Sequence, residues 1–228
     1  MAVALAATFA PDNVVTLRVG ADALGHYLDM VGGVVEGNPL LKCGADGRMT
    51  LVSPGRTHEQ AGRRLGMLVV AVCSVLEIPF SAHGSTLYAV PETGRGYIPD
   101  ESYYIQHHAD VADEATTPIS PDLVIEIVVS HPAADALADC ALLGVPEVWF
   151  WDVPRDALTF HRLVTRGRDR GRYVPAPRSR ALSMLSVGEV LERLRDPTTD
   201  AGRFDRNCRA WAEGVLAPRW RARKGGAR

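Results

Sequence analysis

The chain has 228 residues, of which 46% are hydrophobic, and a formal net charge of −2. This length and composition favour a single folded domain. The near-neutral charge excludes binding to nucleic acid through overall charge alone, so any DNA contact needs a local basic patch. The sequence has no apolar run of about 18 residues that could span a bilayer, and its cysteines lack the spacing of zinc ligands. Its apolar start lacks the basic residues of a signal peptide, so we expect a cytoplasmic protein.

The N-terminal part of the chain is expected to be a loose segment over residues 1–19, followed by a short helix over Asp22 to Met30. Two strands are then predicted between Leu40 and Val52. The sequence Gly44-Ala-Asp-Gly47 lies between them, and such glycine-containing turns are typical of β-hairpins. This part of the chain therefore predicts an N-terminal hairpin.

A long helix is predicted next, beginning at Thr57 and ending before Pro79. Thr57 and Gln60 have the spacing of a capping box, and apolar residues recur at helical intervals up to Leu76. Turn-forming residues then separate three short stretches with strand character. These predicted strands cover Thr86 to Val90, Tyr103 to Ile105 and Leu123 to Val129.

The stretch Leu123 to Val129 is almost continuously apolar, which is typical of a central strand covered on both faces. A helix is predicted over Ala133 to Leu143, where Gly144 supplies a C-cap. A strand over Val148 to Trp151 follows. This succession of strand, helix and strand predicts a parallel right-handed crossover, and hence an α/β fold.

The C-terminal part of the chain predicts a two-stranded β-ribbon, a capped helix and one further helix. These elements cover Ala157 to Leu163 with Tyr173 to Pro175, then Ser186 to Arg195, then Phe204 to Leu216. Residues 186–218 are therefore expected to form peripheral helices. Five basic residues and two glycines predict that the tail over residues 219–228 is disordered.

The most unusual residue of the predicted central strand is Glu126, an acid in the middle of an apolar run. A buried and unpaired carboxylate is very costly, so Glu126 must pair with a cation, bind a metal or lie where the strand reaches solvent. Strand alternation places Glu126 on one face with Asp122 and Val128. A metal site and a salt bridge to an arginine are both consistent with this pattern.

A second acidic position is Asp100, which follows Pro99 and precedes a predicted strand. Carboxylates from two neighbouring strands, together with a backbone carbonyl, would form a hard-oxygen site suited to magnesium or manganese. A proline turn in which Asp100 bonds its own backbone is the structural alternative. Glu101 is a further acid here. Glu59, in the first helical turn, has a structural explanation in the helix dipole and in Arg63 four residues later.

An arginine-rich stretch after the first strand of the predicted ribbon is the best candidate for contact with phosphates. A solvated hairpin tip is an equally good explanation. Its arginines are Arg162, Arg166, Arg168, Arg170, Arg172, Arg178 and Arg180. The sequence contains neither a phosphate-binding P-loop nor a nucleophile elbow, which excludes the common nucleotide-binding and serine-hydrolase classes.

The order of six short motifs resembles the Uma-two family of the PD-(D/E)XK nucleases, and the resemblance runs from about residue 20 to residue 185. The motifs are Leu51-Val-Ser-Pro54, His58-Glu59, Gly84-Ser85-Thr86, Tyr97-Ile-Pro-Asp100, Pro121-Asp-Leu-Val-Ile-Glu126 and Gly144-Val-Pro-Glu-Val-Trp149. The combination of the last two is specific, although each motif alone is not. The resemblance implies a restriction-endonuclease-like core with a mixed central sheet flanked by helices.

The resemblance also implies a site and a reaction. Asp100 and Glu126 would hold Mg²⁺ or Mn²⁺ together with the carbonyl of Ile127, and Glu59 would help to orient the metal or a water molecule. The reaction implied is metal-assisted hydrolysis of DNA phosphodiester bonds.

This chain departs from the family pattern because the family's lysine is missing. Val128 occupies the third position of the (D/E)XK element, and Ala136 stands where relatives often carry a lysine on the following helix. Arg56 or Arg63 would replace only the charge, since an arginine is a poor proton-transfer partner. The candidate DNA-contacting residues are Arg56, His58, Arg63, Arg166, Arg168 and Arg170.

Two functions therefore stay open. The first is a magnesium-dependent DNA endonuclease that uses Asp100, Glu126 and Glu59. The second is a nuclease-fold module that no longer cuts and that binds DNA or protein. A purely structural scaffold would be supported if Asp100 and Glu126 lay far apart. Analogy with nuclease cores, which often dimerise to cut both strands, also predicts a homodimer.

Overall fold

The computed structural model of the chain describes its residues in nine ranges. These ranges are 14–18, 40–43, 48–52, 55–86, 88–90, 95–111, 120–129, 134–165 and 171–225. They belong to two compact units, one formed by residues 1–59 with 87–98 and the other by residues 60–86 with 99–228. None of the helices in these ranges is long and apolar enough to cross a membrane.

The secondary structure of the described residues comprises strands β1 to β11 and helices α1 to α5. The strands are β1 (Val14–Arg18), β2 (Leu40–Cys43), β3 (Arg48–Val52), β4 (Ser81–Ala82), β5 (Tyr88–Val90), β6 (Arg95–Tyr97), β7 (Glu101–Tyr104), β8 (Leu123–Val128), β9 (Glu147–Asp152), β10 (Ala157–Val164) and β11 (Arg172–Ala176). The helices are α1 (Arg56–Val75), α2 (Ala134–Leu143), α3 (Val187–Leu194), α4 (Ala201–Trp211) and α5 (Ala217–Gly225), and a π-helical turn over Ala212–Leu216 joins the last two.

The first unit contains an antiparallel sheet in the order β1-β3-β2-β6-β5. Its centre is the predicted hairpin of β2 and β3, in which Leu40 lies opposite Val52. The prediction of a loose segment over residues 1–19 is wrong for Val14–Arg18, because this β-branched stretch pairs with β3 as strand β1. The predicted helix over Asp22 to Met30 lies outside the described residues.

Helix α1 begins one residue earlier than predicted. The backbone N–H of Glu59 donates to the carbonyl of Gly55 at 3.1 Å, so the helical hydrogen bonds already start at Gly55. Thr57 therefore lies inside the first turn, and the predicted capping box with Gln60 is wrong, because a capping residue must precede the first helical residue.

The same helix packs closely on a sheet in the second unit through two glycines. A Cβ added at Gly62 would lie 3.7 Å from the side chain of Ile127. At Gly66 a Cβ would approach the hydroxyl of Tyr103 to 3.0 Å and the carboxylate of Glu101 to 3.3 Å. A side chain at position 66 would therefore have to displace the Tyr103 hydroxyl and the Glu101 carboxylate by a few tenths of an ångström.

That sheet is mixed, and its strand order is β11-β10-β9-β8-β7-β4. Strands β8 and β9 are parallel, with Val124 opposite Val148 and Val128 opposite Asp152, and every other neighbouring pair is antiparallel. The mixed central sheet is therefore confirmed. The ribbon of β10 and β11 continues this sheet, because β10 pairs with β9 along its length.

The hydrophobic core lies on one face of this sheet. Its members from the sheet include Leu123, Ile125 and Ile127 of β8, and the ring of Trp149 stacks on that of Phe160 with centroids 4.2 Å apart. Helix α1 contributes many of the other buried residues of this core. Because side chains alternate along a strand, Val124 and Glu126 point to the opposite face.

Helices α4 and α5 follow one another without a loop, and the π-helical turn joins them. The N–H of Ala217 donates to the carbonyl of Ala212, five residues earlier. The turn accommodates Pro218, which has no N–H and whose ring would press on the carbonyl four residues before it in a regular α-helix. Helix α5 ends at Gly225, so the predicted disorder from residue 219 is wrong over residues 219–225, where alanine and arginine favour a helix.

A single arginine connects α1 to the segment between α3 and α4. Arg64 donates to the carbonyls of Thr198 at 2.7 Å, Asp196 at 2.6 Å and Leu194 at 3.2 Å. Its guanidinium also lies 4.0 Å from the centre of the Phe204 ring. These contacts give Arg64 a structural role, and burial lowers the pKa of its side chain.

Candidate functional site

The pairing of β7 with β8 brings two predicted site residues together. Glu101 lies opposite Ile125, and Ser102 lies opposite Val124, so the next position of the same register sets Asp100 opposite Glu126. The Oδ2 atom of Asp100 accepts the backbone N–H of Ile127 at 2.7 Å, which holds this carboxylate at the end of β8. The two acids are therefore cross-strand neighbours and do not lie far apart.

A proline explains why this end of the ladder is open. The position after Asp100 and Glu126 in the register would pair Pro99 with Ile127, and both backbone polar groups of Ile127 point towards β7. Pro99 has no N–H, so it cannot donate to the carbonyl of Ile127. The side chain of Asp100 accepts the hydrogen bond from the N–H of Ile127. The carbonyl oxygen of Ile127 consequently faces a residue that cannot donate to it.

The surroundings of Glu126 are unfavourable for two neighbouring negative charges. Glu126 is only 4% exposed, and by strand alternation it shares a face with Val124 and with its partner Phe150 on β9. Like charges directly opposite each other on a sheet repel, and a low-dielectric site strengthens that repulsion. Such a pair of carboxylates is stabilised by a cation or by a shared proton.

The donor atoms at this end of the sheet suit a hard divalent cation. Two carboxylates and one carbonyl are the oxygen ligands that Mg²⁺ and Mn²⁺ prefer, and Mg²⁺ usually keeps several waters and takes substrate phosphates as further ligands. Among the residues that the structure describes, no group of three or more His, Cys, Asp and Glu side chains could hold a metal ion. The donors therefore fit a magnesium or manganese site completed by water and phosphate, and they do not fit a zinc site.

Glu101 belongs to the other face of the sheet although it adjoins Asp100 in sequence. Its carboxylate lies beside Gly66 of α1, and its Oε2 atom accepts the hydroxyl of Tyr103 at 3.4 Å. Burial, together with this acid, raises the pKa of Tyr103, so the hydroxyl keeps its proton. Glu101 is thus directed towards the core helix and away from Glu126.

Two other buried acids, at the starts of β8 and β9, have structural partners that sequence patterns did not reveal. The Oδ2 atom of Asp122 accepts the backbone N–H groups of Ile105, Gln106 and His107 at 2.7, 2.7 and 3.0 Å, and its Oδ1 atom lies 2.7 Å from Nδ1 of His107. Asp122 therefore fixes the loop that follows β7. Its position directly before an apolar strand, after Pro121, was the only signal in the sequence.

Glu147 is the second of these structural acids and is 1% exposed. Its Oε2 atom accepts the hydroxyl of Ser179 and the backbone N–H groups of Arg180 and Ala181 at 2.7 to 3.0 Å, and its Oε1 atom accepts the indole N–H of Trp149 at 2.9 Å. Burial raises the pKa of Glu147, while these hydrogen bonds act in the opposite direction. Glu147 thus joins β9 to the turn before α3.

The sequence of the chain matches one family model over most of its length. The family is described as "Putative restriction endonuclease" (Uma2), and the match covers residues 35–199. The chain belongs to the Uma2 family. No curated protein matches its sequence. The π-helical turn and the two helices α4 and α5 of this Uma2 protein follow the matched residues.

One solved structure similar to this Uma2 protein is described as a putative nuclease belonging to DUF820 from Anabaena variabilis ATCC 29413. The two share 16% sequence identity, and the TM-score is 0.53. The similarity covers 75% of this chain and 98% of the other. At this identity the comparison supports the fold, and it agrees with the mixed six-stranded sheet and flanking helices.

Four residues of α1 and its surroundings were predicted to take part in the site or in DNA contact. Glu59 lies in the first turn of α1 and is 58% exposed, and Nδ1 of His58 is 3.9 Å from its carboxylate. Glu59 belongs to the first compact unit, and its role in the site stays a prediction. Arg56 and Arg63 are exposed. The other predicted contacts, Arg166, Arg168 and Arg170, lie outside the described residues.

The two positions where this Uma2 protein lacks a lysine carry small apolar side chains. Val128 ends β8 on the same face as Glu126, and Ala136 is buried in α2.

The neighbour of Val128 across the parallel ladder is Asp152. The carboxylate of Asp152 accepts a hydrogen bond from Nη1 of Arg155 at 2.6 Å. Hydrogen bonding from Arg155 lowers the pKa of Asp152. The sequence analysis did not single out Asp152 and Arg155, although an acid followed three residues later by an arginine can be read from the sequence.

Proposed function

We propose that this Uma2 protein is a divalent-metal-dependent endonuclease that hydrolyses phosphodiester bonds of DNA. The observation that carries this proposal is that Asp100 accepts the amide of Ile127, the residue after Glu126, where the register of β7 and β8 extends by one pair to Asp100 and Glu126. Membership of a family described as restriction endonucleases supports DNA as the substrate.

In this proposal Asp100, Glu126 and the carbonyl of Ile127 hold one Mg²⁺ or Mn²⁺ ion. The hydrogen bond from Ile127 fixes the orientation of Asp100 before substrate arrives, so less reorganisation is needed at the moment of reaction. The burial of Glu126 limits access of bulk water and strengthens its attraction for a cation. When bound, the metal would supply an acidified water and would offset negative charge on the phosphate.

A second function, a nuclease-fold module that binds DNA without cutting it, is favoured by one observation. Val128 and Ala136 provide no cationic group at either position where relatives often carry a lysine. Such a cation stabilises the attacking oxygen and the charge that develops on phosphate, so its loss would lower the rate. Both functions predict DNA binding, and they differ only in whether cleavage follows.

The test is nicking of supercoiled plasmid with Mg²⁺ or Mn²⁺ by the wild-type protein and by two conservative variants. Asp100→Asn keeps an oxygen that can accept the amide of Ile127, and Glu126→Gln keeps the shape of its side chain, so both remove charge while disturbing the fold little. We expect each variant to nick at least about 100-fold more slowly than the wild type. Glu101→Gln, which changes the neighbouring acid on the other face, is the matched control and should retain its rate.

Two results would contradict the nuclease proposal. One is a wild-type protein that binds DNA but produces no nicks with either metal, which would favour the non-cutting module. The other is nicking that persists in both Asp100→Asn and Glu126→Gln, which would assign the cleavage to other residues or to a contaminating nuclease. Thermal unfolding of each variant checks that lost activity does not come from lost structure.

A further inference from the structure

The turn after β9 carries a cation at the same edge of the sheet as Glu126. Because β8 and β9 are parallel, residues paired across them point to the same face, so Glu126 shares its face with Phe150, and Val128 shares it with Asp152. The N–H of Val153 donates to the carbonyl of Val128 at 3.0 Å, which holds the two strand ends together. Asp152 and the turn that follows it are therefore fixed relative to β8.

The register also gives the separation of this turn from the acid pair. Asp152 is one strand across from Val128 and two residues further along than Glu126, and strands are about 4.8 Å apart with a rise of about 3.3 Å per residue. The Cα atoms of Glu126 and Asp152 are thus about 8 Å apart.

Arg155 is held at this place by two hydrogen bonds to Asp152. Its backbone N–H donates to Oδ1 of Asp152 at 3.1 Å, and its Nη1 donates to Oδ2 at 2.6 Å. A guanidinium has five N–H donors in a planar fork, so one contact with Asp152 leaves donors for a second partner. The side chain of Arg155 is 79% exposed, and exposed ion pairs of this kind contribute little to stability. Arg155 can therefore contact a phosphate with little loss of stability from its ion pair with Asp152.

Two other arginines of the second unit have different partners. Arg195 donates through Nε to Asp156 at 2.7 Å, which ties the C-terminal end of α3 to the same turn. Arg64 is committed to three backbone carbonyls. Arg155 differs from both because its carboxylate partner, Asp152, lies next to Val128, which is on the same face of the sheet as Glu126.

We propose that Arg155, positioned by Asp152, contacts the DNA phosphate backbone beside the Asp100–Glu126 site. This inference rests on the proposed nuclease function for the identity of the ligand. Two carboxylates repel an approaching polyanion, and a fixed arginine on the neighbouring strand offsets part of that repulsion. Its planar fork matches the oxygens of a phosphate. Arg155 is the phosphate-contacting residue, and Asp152 is the positioning residue.

The first measurement is equilibrium binding of a fluorescein-labelled DNA duplex in EDTA, followed by anisotropy over a range of salt concentrations. The binding constant falls as the salt concentration rises, and each phosphate contact that is lost makes the slope of log K against log salt less negative by about 0.9. We expect Arg155→Ala to weaken DNA binding by about fivefold and to make the negative salt slope shallower by about 0.9. Arg155→Lys keeps the charge and should keep the slope.

The matched control is Arg206→Ala. Arg206 is an exposed arginine of α4, outside the six-stranded sheet and outside the candidate DNA contacts. Its removal changes the net charge by the same amount as Arg155→Ala, so a slope that becomes shallower only in Arg155→Ala reports a local contact. Asp152→Asn keeps the hydrogen-bond acceptor but removes its charge, and it should retain the slope.

The possible outcomes separate this inference from the nuclease proposal. An unchanged salt slope in Arg155→Ala, an equal change in Arg206→Ala or an absence of DNA binding by the wild-type protein would overturn the phosphate contact. Plasmid nicking is measured in parallel with Mg²⁺. If the slope becomes shallower in Arg155→Ala but the wild-type protein never nicks, the phosphate contact stands and the nuclease proposal fails.

Discussion

Buried acids have different neighbours at the two ends of the parallel strand pair β8 and β9. At the amino ends, Asp122 and Glu147 each collect several N–H donors from neighbouring loops. At the carboxyl ends, Glu126 lies opposite a second acid, Asp100. The first arrangement compensates each charge with dipoles of the protein itself, whereas the second brings two acids onto neighbouring strands. Burial alone therefore does not distinguish a structural acid from a candidate metal ligand.

The location of the two arrangements follows a general property of parallel strands. Loops at the amino ends of β8 and β9 supply the backbone amides that hold Asp122 and Glu147, and these acids connect strands to loops. In open α/β sheets ligands bind outside the carboxyl ends of the strands. Asp100, Glu126 and the turn with Arg155 all lie at that edge, which makes it the place where a substrate is expected.

The largest predicted effect on stability comes from the amino end. Glu147→Ala would leave the indole N–H of Trp149, the hydroxyl of Ser179 and two backbone amides without their acceptor. We expect the free energy of unfolding to fall by about 3 kcal/mol, measured by urea denaturation. Glu192→Ala, which removes an exposed acid from α3, should change it by less than about 0.5 kcal/mol. Equal effects of the two changes would remove the distinction between compensated and exposed acids.

A smaller loss is expected at the other structural acid. Asp122→Ala removes the acceptor of three consecutive N–H groups, and we expect it to lower the free energy of unfolding by about 2 kcal/mol. Hydrogen exchange should accelerate at Ile105, Gln106 and His107, because these amides lose their protection. Asp122→Asn retains an acceptor oxygen and should accelerate exchange less. Unchanged exchange at these three amides would contradict the assigned role of Asp122.

At the carboxyl end the sign of the effect should reverse. In EDTA, Glu126→Gln removes one of two opposed carboxylates and is expected to raise the free energy of unfolding by about 1 kcal/mol. Added Mn²⁺ should raise the Tm of the wild-type protein, because a ligand that binds only the folded state stabilises it, and should not raise the Tm of Glu126→Gln. Destabilisation by Glu126→Gln in EDTA would instead give this acid a structural role like that of Glu147.

The smallest predicted effect concerns the turn beside the acid pair. Arg155 lowers the pKa of Asp152, so Arg155→Ala should raise that pKa towards the ordinary value of an aspartate, as NMR titration of the carboxyl carbon would measure. A lowered pKa in the folded state stabilises the fold above the pKa of the unfolded chain, and this contribution is lost as the pH falls. Arg155→Ala should therefore weaken that pH dependence. An unchanged Asp152 pKa would contradict the ion pair.

Much of the fold could be predicted from local patterns in the sequence. The apolar run from Leu123 and the strand around Trp149 have the composition of central strands, and β8 and β9 occupy these positions. Glu126 could be singled out because an acid interrupts such a run. The family resemblance then added the mixed sheet and joined Glu126 to Asp100.

Other features depend on contacts between residues that are distant in sequence. The opposition of Asp100 and Glu126 is a consequence of the register between β7 and β8, which no local pattern reveals. The same is true of Glu147, whose donors lie more than thirty residues later in the chain. The error at Thr57 was of another kind, because Gly55 already accepts the first helical hydrogen bond and a glycine gives no side-chain signal for it.

The π-helical turn before Pro218 sets which side chains of α5 meet the rest of the protein. Beyond it, Arg219 pairs with Glu189 of α3, and Arg223 donates to the carbonyl of Ser183. Deleting Gly214, which is exposed, would shorten the turn to ordinary α-helical geometry and rotate every later residue by about 100° about the helix axis. Both arginines would then point away from their partners. One residue in the turn therefore sets the rotational phase of the whole C-terminal helix.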